Sequence, residues 1–182
     1  MKKATHRHEV QFYSDDALLL DTFAPFIAVA IKSGRAAIVV ITGSHRDGLV
    51  SRLKIQGIDV DAITRPGTYI QLDANKTLST FMVNDMPDST RFFPFVGSLI
   101  GAAAKAARQQ HHGVVACGEC SPLLWADGKA EAAIRVEQLW DEVGKIFWMD
   151  ILCGYALSSF RGEEDEHVFQ NIYAEHSAVY SQ

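Results

Sequence analysis

The sequence is short of the features that mark nucleic-acid binding, membrane insertion and disulfide scaffolds. Its 182 residues carry 17 Lys and Arg against 22 Asp and Glu, for a formal net charge of −5. There is no basic stripe to attract a phosphate backbone, and no stretch approaches the roughly 18 uninterrupted apolar residues of a membrane span. Three cysteines are present, an odd number that fits a reducing compartment better than a disulfide framework. We therefore expect a cytoplasmic protein with no direct nucleic-acid or membrane partner.

A phosphate-binding loop is also missing. Residues 8–13 are typical of a first β-strand, and residues 17–20 begin an apolar helix. In nucleotide-binding α/β proteins, the turn between such elements carries glycines and a Gly-Lys-Ser/Thr ending that hold phosphates. Here the turn reads Tyr13-Ser14-Asp15-Asp16, with no glycine or lysine and with two carboxylates that would repel a triphosphate. The pattern favours binding or sensing over phosphoryl transfer.

The rest of the chain alternates apolar strand patterns with helical ones. The predicted strands are 10–13, 36–41, 69–72, 114–118 and 151–155, and the predicted helices are 15–33, 46–56, 77–82, 92–109, 129–147 and 163–180. Ser14 is the predicted N-cap of the first helix, and the residues between Glu119 and Lys129 are predicted to form a crossover loop. This alternation predicts one α/β domain over residues 1–182, a three-layer sandwich whose mostly parallel sheet is covered on both faces.

Polar and acidic side chains follow the ends of the predicted strands, where ligands of such folds bind. The candidate ligand-binding residues are Tyr13, Asp15, Asp16, His45, Glu119 and Tyr155, with Trp125 as a candidate pocket wall. Because cations are scarce among them, the set favours a neutral or cationic small molecule over an anion. We predict no catalytic residue, since no Gly-x-Ser-x-Gly elbow is present.

Several of these candidates also have a purely structural interpretation. Glu119 is interpreted as a ligand contact or a vestigial catalytic acid, or else as a salt-bridge partner or a carboxylate at a helix N-terminus, where the helix dipole favours negative charge. The same dipole accounts for Asp15 and Asp16 without any ligand. Simple packing of the crossover loop explains Trp125 at least as well as a place in a pocket.

Residues 117–120 have the C-x-x-C spacing found in zinc and redox sites. A zinc site would need two more ligands, and the neighbouring His111 and His112 do not give a standard spacing. A thioredoxin-type motif should open a helix, whereas Cys117 lies inside a predicted strand. We therefore expect Cys117 to be a buried strand cysteine and Cys120 a loop cysteine, with Cys153 buried in its own strand. We predict neither a metal nor a cofactor.

Twelve short segments, in a fixed order along the chain, carry a family resemblance. They are residues 8–13, 15–16, 37–40, 45–46, 69–74, 77–78, 81–82, 118–119, 123–125, 139–140, 152–155 and 176–177. In their order and spacing the chain resembles the MEDS family, the methanogen/methylotroph DcmR sensory domain. The resemblance implies a RecA/KaiC-like fold with a degenerate phosphate-binding loop. It also implies a signal-input module for small organic molecules, including hydrocarbon derivatives, that occurs alone or joined to histidine-kinase or DNA-binding parts.

Because no such part follows the last predicted helix, we expect a separate signalling partner, such as a histidine kinase or a transcription regulator. Two other functions stay open from the sequence. One is a residual enzyme. It would be either a hydrolase with Glu119 as base or a divergent ATPase whose lysine comes from elsewhere in the chain or from a partner chain. The other is a partner-binding regulatory module on a degenerate ATPase fold, with a vestigial pocket. Analogy with RecA-like folds favours a homo-oligomer.

Overall fold

The fold is built on a six-stranded β-sheet in which every strand runs parallel to its neighbours. The structure is a computed structural model and describes residues 6–108, 113–160, 170–174 and 176–181. In spatial order the sheet reads β3 (Tyr69–Asp73), β2 (Ala36–Ile41), β6 (Val114–Gly118), β7 (Asp150–Ala156), β1 (His8–Tyr13) and β8 (Ala178–Ser181). Every residue of β2 is buried, as its continuous apolar run predicts for a strand covered on both faces.

Helices cover both faces of this sheet. The first, called here the α1 face, carries α1 (Asp16–Lys32), α2 (Gly43–Ile55) and α3 (Val60–Thr64). The second, the α7 face, carries α4 (Ala74–Phe81), α5 (Ser89–Ala106), α6 (Cys120–Ala126) and α7 (Ala130–Phe147). A short antiparallel hairpin, β4 (Met82–Val83) with β5 (Met86–Pro87), joins α4 to α5. The predicted three-layer α/β architecture is confirmed, and none of the described helices has the length and apolar character to cross a membrane.

Each face has its own apolar core. On the α7 face, fully buried Phe92 makes edge-on ring contacts with Phe81 and Trp140, at centroid distances of 5.1 and 5.5 Å. On the α1 face, helix α1 lies close against Gly154 of β7, where an added Cβ would stand 2.3 Å from the Leu19 side chain. A glycine is therefore required there by the approach of the helix.

Several helix starts differ from the sequence prediction: α2, α4 and α5 each begin three residues earlier, and α3 and α6 were not predicted. Asp15, and not Ser14, caps α1: its backbone is extended, with φ at −146°, and its carboxylate accepts a hydrogen bond from the Leu18 N–H at 3.1 Å. The predicted crossover loop after Glu119 contains the seven-residue helix α6. Pro122 lies in the first turn of α6, where a missing N–H costs the helix no hydrogen bond.

The end of the chain is the largest correction. The helix predicted over residues 163–180 is wrong for its last part, since Ala178–Ser181 forms strand β8. Residues 163–169 and 175 of that prediction lie outside the described residues, and residues 170–174 are helical. Strand β8 pairs with β1, and Glu9 stands opposite Ala178. It covers an edge of β1 whose N–H and C=O groups would otherwise lack partners, and nothing in the local sequence reveals that requirement.

Candidate functional site

The carboxyl ends of β2 and β6 form a topological switch point. The two strands are neighbours, but the chain leaves them in opposite directions. From β2 it passes through α2 on the α1 face to β3 at the sheet edge, whereas from β6 it passes through α6 and α7 on the α7 face to β7. Diverging connections of this kind leave a crevice, which is where open α/β sheets bind their ligands.

A buried imidazole–carboxylate pair lies at this point. His45, in the first turn of α2, places Nδ1 2.8 Å from Oε1 of Glu119, the residue directly after β6. The other carboxylate oxygen of Glu119 accepts hydrogen bonds from the Thr42 N–H at 3.0 Å and the Thr42 hydroxyl at 3.2 Å. On the far side of the ring, His45 Nε2 lies 3.2 Å from Oδ2 of Asp16 in α1. One imidazole thereby connects α1, α2 and the end of β6.

The charges of this network follow from its geometry. The hydrogen bond to Glu119 raises the pKa of His45 to about 9, since the gain from Glu119 and Asp16 outweighs the cost of burying the imidazolium. His45 is therefore protonated at neutral pH and stands between two carboxylates. Burial, followed by the charges of Glu119 and Asp16, raises the pKa of Tyr13, so its phenol keeps its proton. His45 and Glu119 are 8% and 3% exposed, whereas the Asp16 side chain is 70% exposed and forms the open rim of the network.

Comparison with known families identifies the chain. The family model of the MEDS domain (MEthanogen/methylotroph, DcmR Sensory domain) matches residues 7–171. The chain belongs to the MEDS family. The family is one of sensory domains, so a role in sensory signalling follows from membership. No curated protein matches the chain in a sequence search.

The MEDS domain brings four of the seven predicted ligand-binding residues together. His45 contacts both Glu119 and Asp16, and Tyr13 is near enough for the charges of those two carboxylates to raise its pKa. Asp15 lies beside them as the N-cap of α1, so its carboxylate is engaged by the helix itself. This is the structural interpretation that the sequence offered for it.

The other two predicted residues lie on the α7 face. The Tyr155 hydroxyl donates a hydrogen bond of 2.7 Å to Oε1 of Glu137, a buried residue of α7. Trp125 in α6 donates its indole N–H to the Ser159 carbonyl oxygen at 2.9 Å and stacks on Phe160 at a centroid distance of 5.1 Å. Both side chains therefore have structural partners away from the His45–Glu119 pair.

A small apolar cavity adjoins the network on the α7 face. Gly118 and Cys120, the residues on either side of Glu119, both line it, together with Ala116 and Trp140. Its volume is about 20 Å³, close to the space that one water-sized molecule needs. The switch point thus combines a charged rim with an apolar recess.

The three cysteines are all free and buried. Cys117 packs in the core of the α1 face and Cys120 in that of the α7 face. Burial raises the pKa of both thiols, and the nearby Glu119 carboxylate raises it further. The expected burial of Cys117 and Cys153 is confirmed, whereas Cys120, predicted to lie in a loop, is buried at the start of α6. His111 and His112 lie outside the described residues.

Two further residues support these clusters. The position of Thr42 after β2 placed it among the polar residues at the strand ends, and the structure shows it holding Glu119 with both its N–H and its hydroxyl. Glu137 is 0% exposed, and a signal for it was present: it falls on the apolar stripe of α7, between the buried residues Val136 and Trp140. Glu137 belongs to a cluster with His8, Cys153 and His176. Among the described residues, this is the one group of side chains placed to hold a metal ion.

Proposed function

We propose that this MEDS domain is a non-enzymatic sensor that binds a small organic molecule at the switch point and passes the signal to another protein. The observation that carries the proposal is the buried His45–Glu119 pair at the diverging ends of β2 and β6, with an apolar cavity beside it. A charged network in such a crevice needs a reason, because buried ionic groups contribute little net stability. Recognition of a ligand supplies one.

The lining of the site limits the chemistry of the ligand. Two carboxylates stand against one imidazolium, so the local charge is negative and a neutral or cationic molecule is favoured over an anion. The cavity of about 20 Å³ admits an apolar group of roughly one or two heavy atoms. A small hydrocarbon derivative with one polar group meets both conditions. Four side chains would contact the polar group: those of Tyr13, Asp16, His45 and Glu119. Tyr155 and Trp125 would form the wall of the site on the α7 face.

The same network offers a route for the signal. His45 connects α1 to the end of β6 through Asp16 and Glu119. A ligand that competes for either carboxylate favours a state in which the segments after β1 and β6 have moved apart. Differential affinity for the two states then changes the surface presented to a partner. We propose a histidine kinase or a transcription regulator as that partner, cytoplasm as the setting, and a homo-oligomer as the assembly.

Two enzymatic alternatives are weaker. An ATPase would need the glycines and lysine that the Tyr13–Asp16 turn lacks. A hydrolase with Glu119 as base would need a carboxylate oxygen free to take a proton from water, but both oxygens already accept hydrogen bonds from Thr42 and His45. The remaining alternative is a partner-binding module without a ligand, which predicts that no small molecule raises the melting temperature of the protein.

The experiment is a thermal-shift screen of the purified protein against Mg-ATP, Mg-GTP and small halogenated, aromatic and amine-bearing compounds. A ligand at 100 times its Kd stabilises the folded state by about 2.7 kcal/mol, or roughly 5–10 °C for a chain of this size. We expect a shift with an organic compound and none with nucleotides. A rise in melting temperature with Mg-ATP would overturn the proposal in favour of an ATPase. An unchanged melting temperature with every compound would favour the partner-binding module.

Two variants then locate the site. Glu119→Gln should weaken binding of the compound found, because it removes a charge that the ligand meets, whereas Asp47→Asn makes the same kind of change at an exposed position of α2 and should bind normally. Ala116→Val fills the cavity and should abolish the shift without lowering the melting temperature of the free protein by more than a few degrees. Normal binding by both site variants would place the ligand elsewhere.

A further inference from the structure

Away from the switch point, four side chains with metal-ligand chemistry converge inside the α7 face. His8 begins β1, Cys153 lies in the neighbouring strand β7, Glu137 comes from α7, and His176 lies just before β8. Each offers one nitrogen, sulfur or oxygen atom, and these four atoms all lie within 4.8 Å of one another. Cys153 also lines the small apolar cavity, but the proposed sensory function assigns no role to its thiol or to His8, Glu137 and His176.

The distances within the cluster match those between the ligands of one ion. Glu137 Oε2 lies 3.2 Å from His8 Nε2, 3.3 Å from His176 Nε2 and 3.3 Å from Cys153 Sγ. His8 Nε2 lies 3.5 Å from Cys153 Sγ. Ligands about 2.0–2.3 Å from a tetrahedral zinc ion lie roughly 3.3–3.8 Å from one another. Four of the six distances between the ligand atoms are therefore close to the edges of such a tetrahedron, and the other two are within 4.8 Å.

Hydrogen bonds outside the cluster orient two of the ligands toward it, and a longer charge contact faces a third. His176 Nδ1 lies 2.6 Å from the Ile172 carbonyl oxygen, which can only accept, so Nδ1 carries the proton and Nε2 is the atom turned to the cluster. The Tyr155 hydroxyl occupies Oε1 of Glu137 at 2.7 Å, which leaves Oε2 for the cluster. His8 Nδ1 faces Oδ1 of Asp141 at 3.9 Å. Outer contacts of this kind orient the ligands in protein metal sites.

Burial and charge complete the fit. The side chains of His8, Glu137 and His176 are 1%, 0% and 0% exposed, and Cys153 is 6% exposed. A divalent cation bound by one thiolate, one carboxylate and two neutral imidazoles makes a site with no net charge, which the apolar surroundings require. Binding converts the Cys153 thiol to a thiolate and releases its proton to solvent. Sulfur and imidazole ligands select zinc or another late transition metal over calcium or magnesium.

We propose that His8, Glu137, Cys153 and His176 form a closed four-ligand site for a divalent transition metal, with Zn²⁺ as the best match. Four protein ligands leave no open position, which is typical of structural sites and not of catalytic ones. The bound ion would join β1, β7 and α7 to the segment that leads into β8. It would thereby fix the last strand to the sheet.

The first test uses the wild-type protein. The metal content of the full chain as purified is measured, and the metal is then removed with a chelator and replaced by Co²⁺. We expect about one equivalent of metal per chain, and a Co²⁺ spectrum with the intense visible bands of a tetrahedral site and a near-ultraviolet thiolate charge-transfer band. No metal in the purified protein together with no such bands at saturating Co²⁺ would overturn the proposal, and this readout does not depend on any variant folding.

A pair of cysteine variants then assigns the thiolate. Cys153→Ala should lose the charge-transfer band and weaken metal binding by more than about 100-fold, since losing even an outer contact costs 10- to 100-fold. Cys117→Ala removes another buried thiol, on the α1 face, and should bind as the wild type does. Far-ultraviolet circular dichroism checks that both variants fold. A Cys153→Ala protein that keeps its metal and its band would show that the ion lies elsewhere.

Discussion

The His45–Glu119 network predicts a specific dependence of stability on pH. The structure holds the pKa of His45 at about 9, against an ordinary value of 6.5. A group whose pKa is higher in the folded than in the unfolded state stabilises the fold fully below the unfolded value. That contribution disappears as the pH rises through the folded value. For His45 the free energy of unfolding should therefore fall between about pH 6.5 and pH 9.

The size of this fall can be worked out from the two pKa values. A rise from 6.5 to about 9 corresponds to roughly 3 kcal/mol in favour of the folded state at low pH. Of this, about 2 kcal/mol should be lost between about pH 6 and pH 8. Because the Asp16 side chain is 70% exposed, salt will screen its share, and the fall should shrink somewhat in high salt. The share that comes from buried Glu119 should persist.

Urea unfolding in steps from about pH 6 to pH 8 measures the effect, with His45→Gln as the comparison. That range lies below about pH 8.5, at which cysteines of the unfolded chain are half ionised, and the contribution of the cysteines is common to wild type and variant. Subtracting the curve of the variant removes the contributions of the other histidines. Asp47→Asn keeps the network and should behave as the wild type does. Parallel curves for wild type and His45→Gln would refute the charged pair.

Two further predictions concern the fold. Asp15→Ala should destabilise the protein by about 1 kcal/mol in urea unfolding, because it removes the N-cap of α1, whereas Ser14→Ala should change stability little; the reverse result would restore the cap predicted from sequence. Phe92→Ala should cost about 3–5 kcal/mol, because it empties a fully buried ring site, whereas Phe147→Ala, at a side chain that is 42% exposed, should cost much less. Equal losses at the two phenylalanines would contradict the described core.

Much of the architecture was predictable because its signals are local. The continuous apolar run of β2 predicts a strand buried on both faces, and the apolar stripe of α7 predicts a helix with one buried face. The strand ends also identified Glu119 and His45, because side chains at the carboxyl ends of parallel strands gather at one edge. Strand β8 was not predictable in this way, since its hydrogen-bond partner β1 lies at the other end of the chain.

The sequence by itself determined the fold class, the missing phosphate loop and the acidic character of the strand ends. These depend on residue type and on periods of two to four residues. Only the tertiary structure decided which polar residues meet. It paired Tyr155 with Glu137 and Glu119 with His45, and it brought His8 together with Glu137 and His176, both more than a hundred residues further along the chain. The reason is that contacts between distant segments depend on the order of the strands and on the face of the sheet where each side chain lies. A local sequence pattern predicts neither.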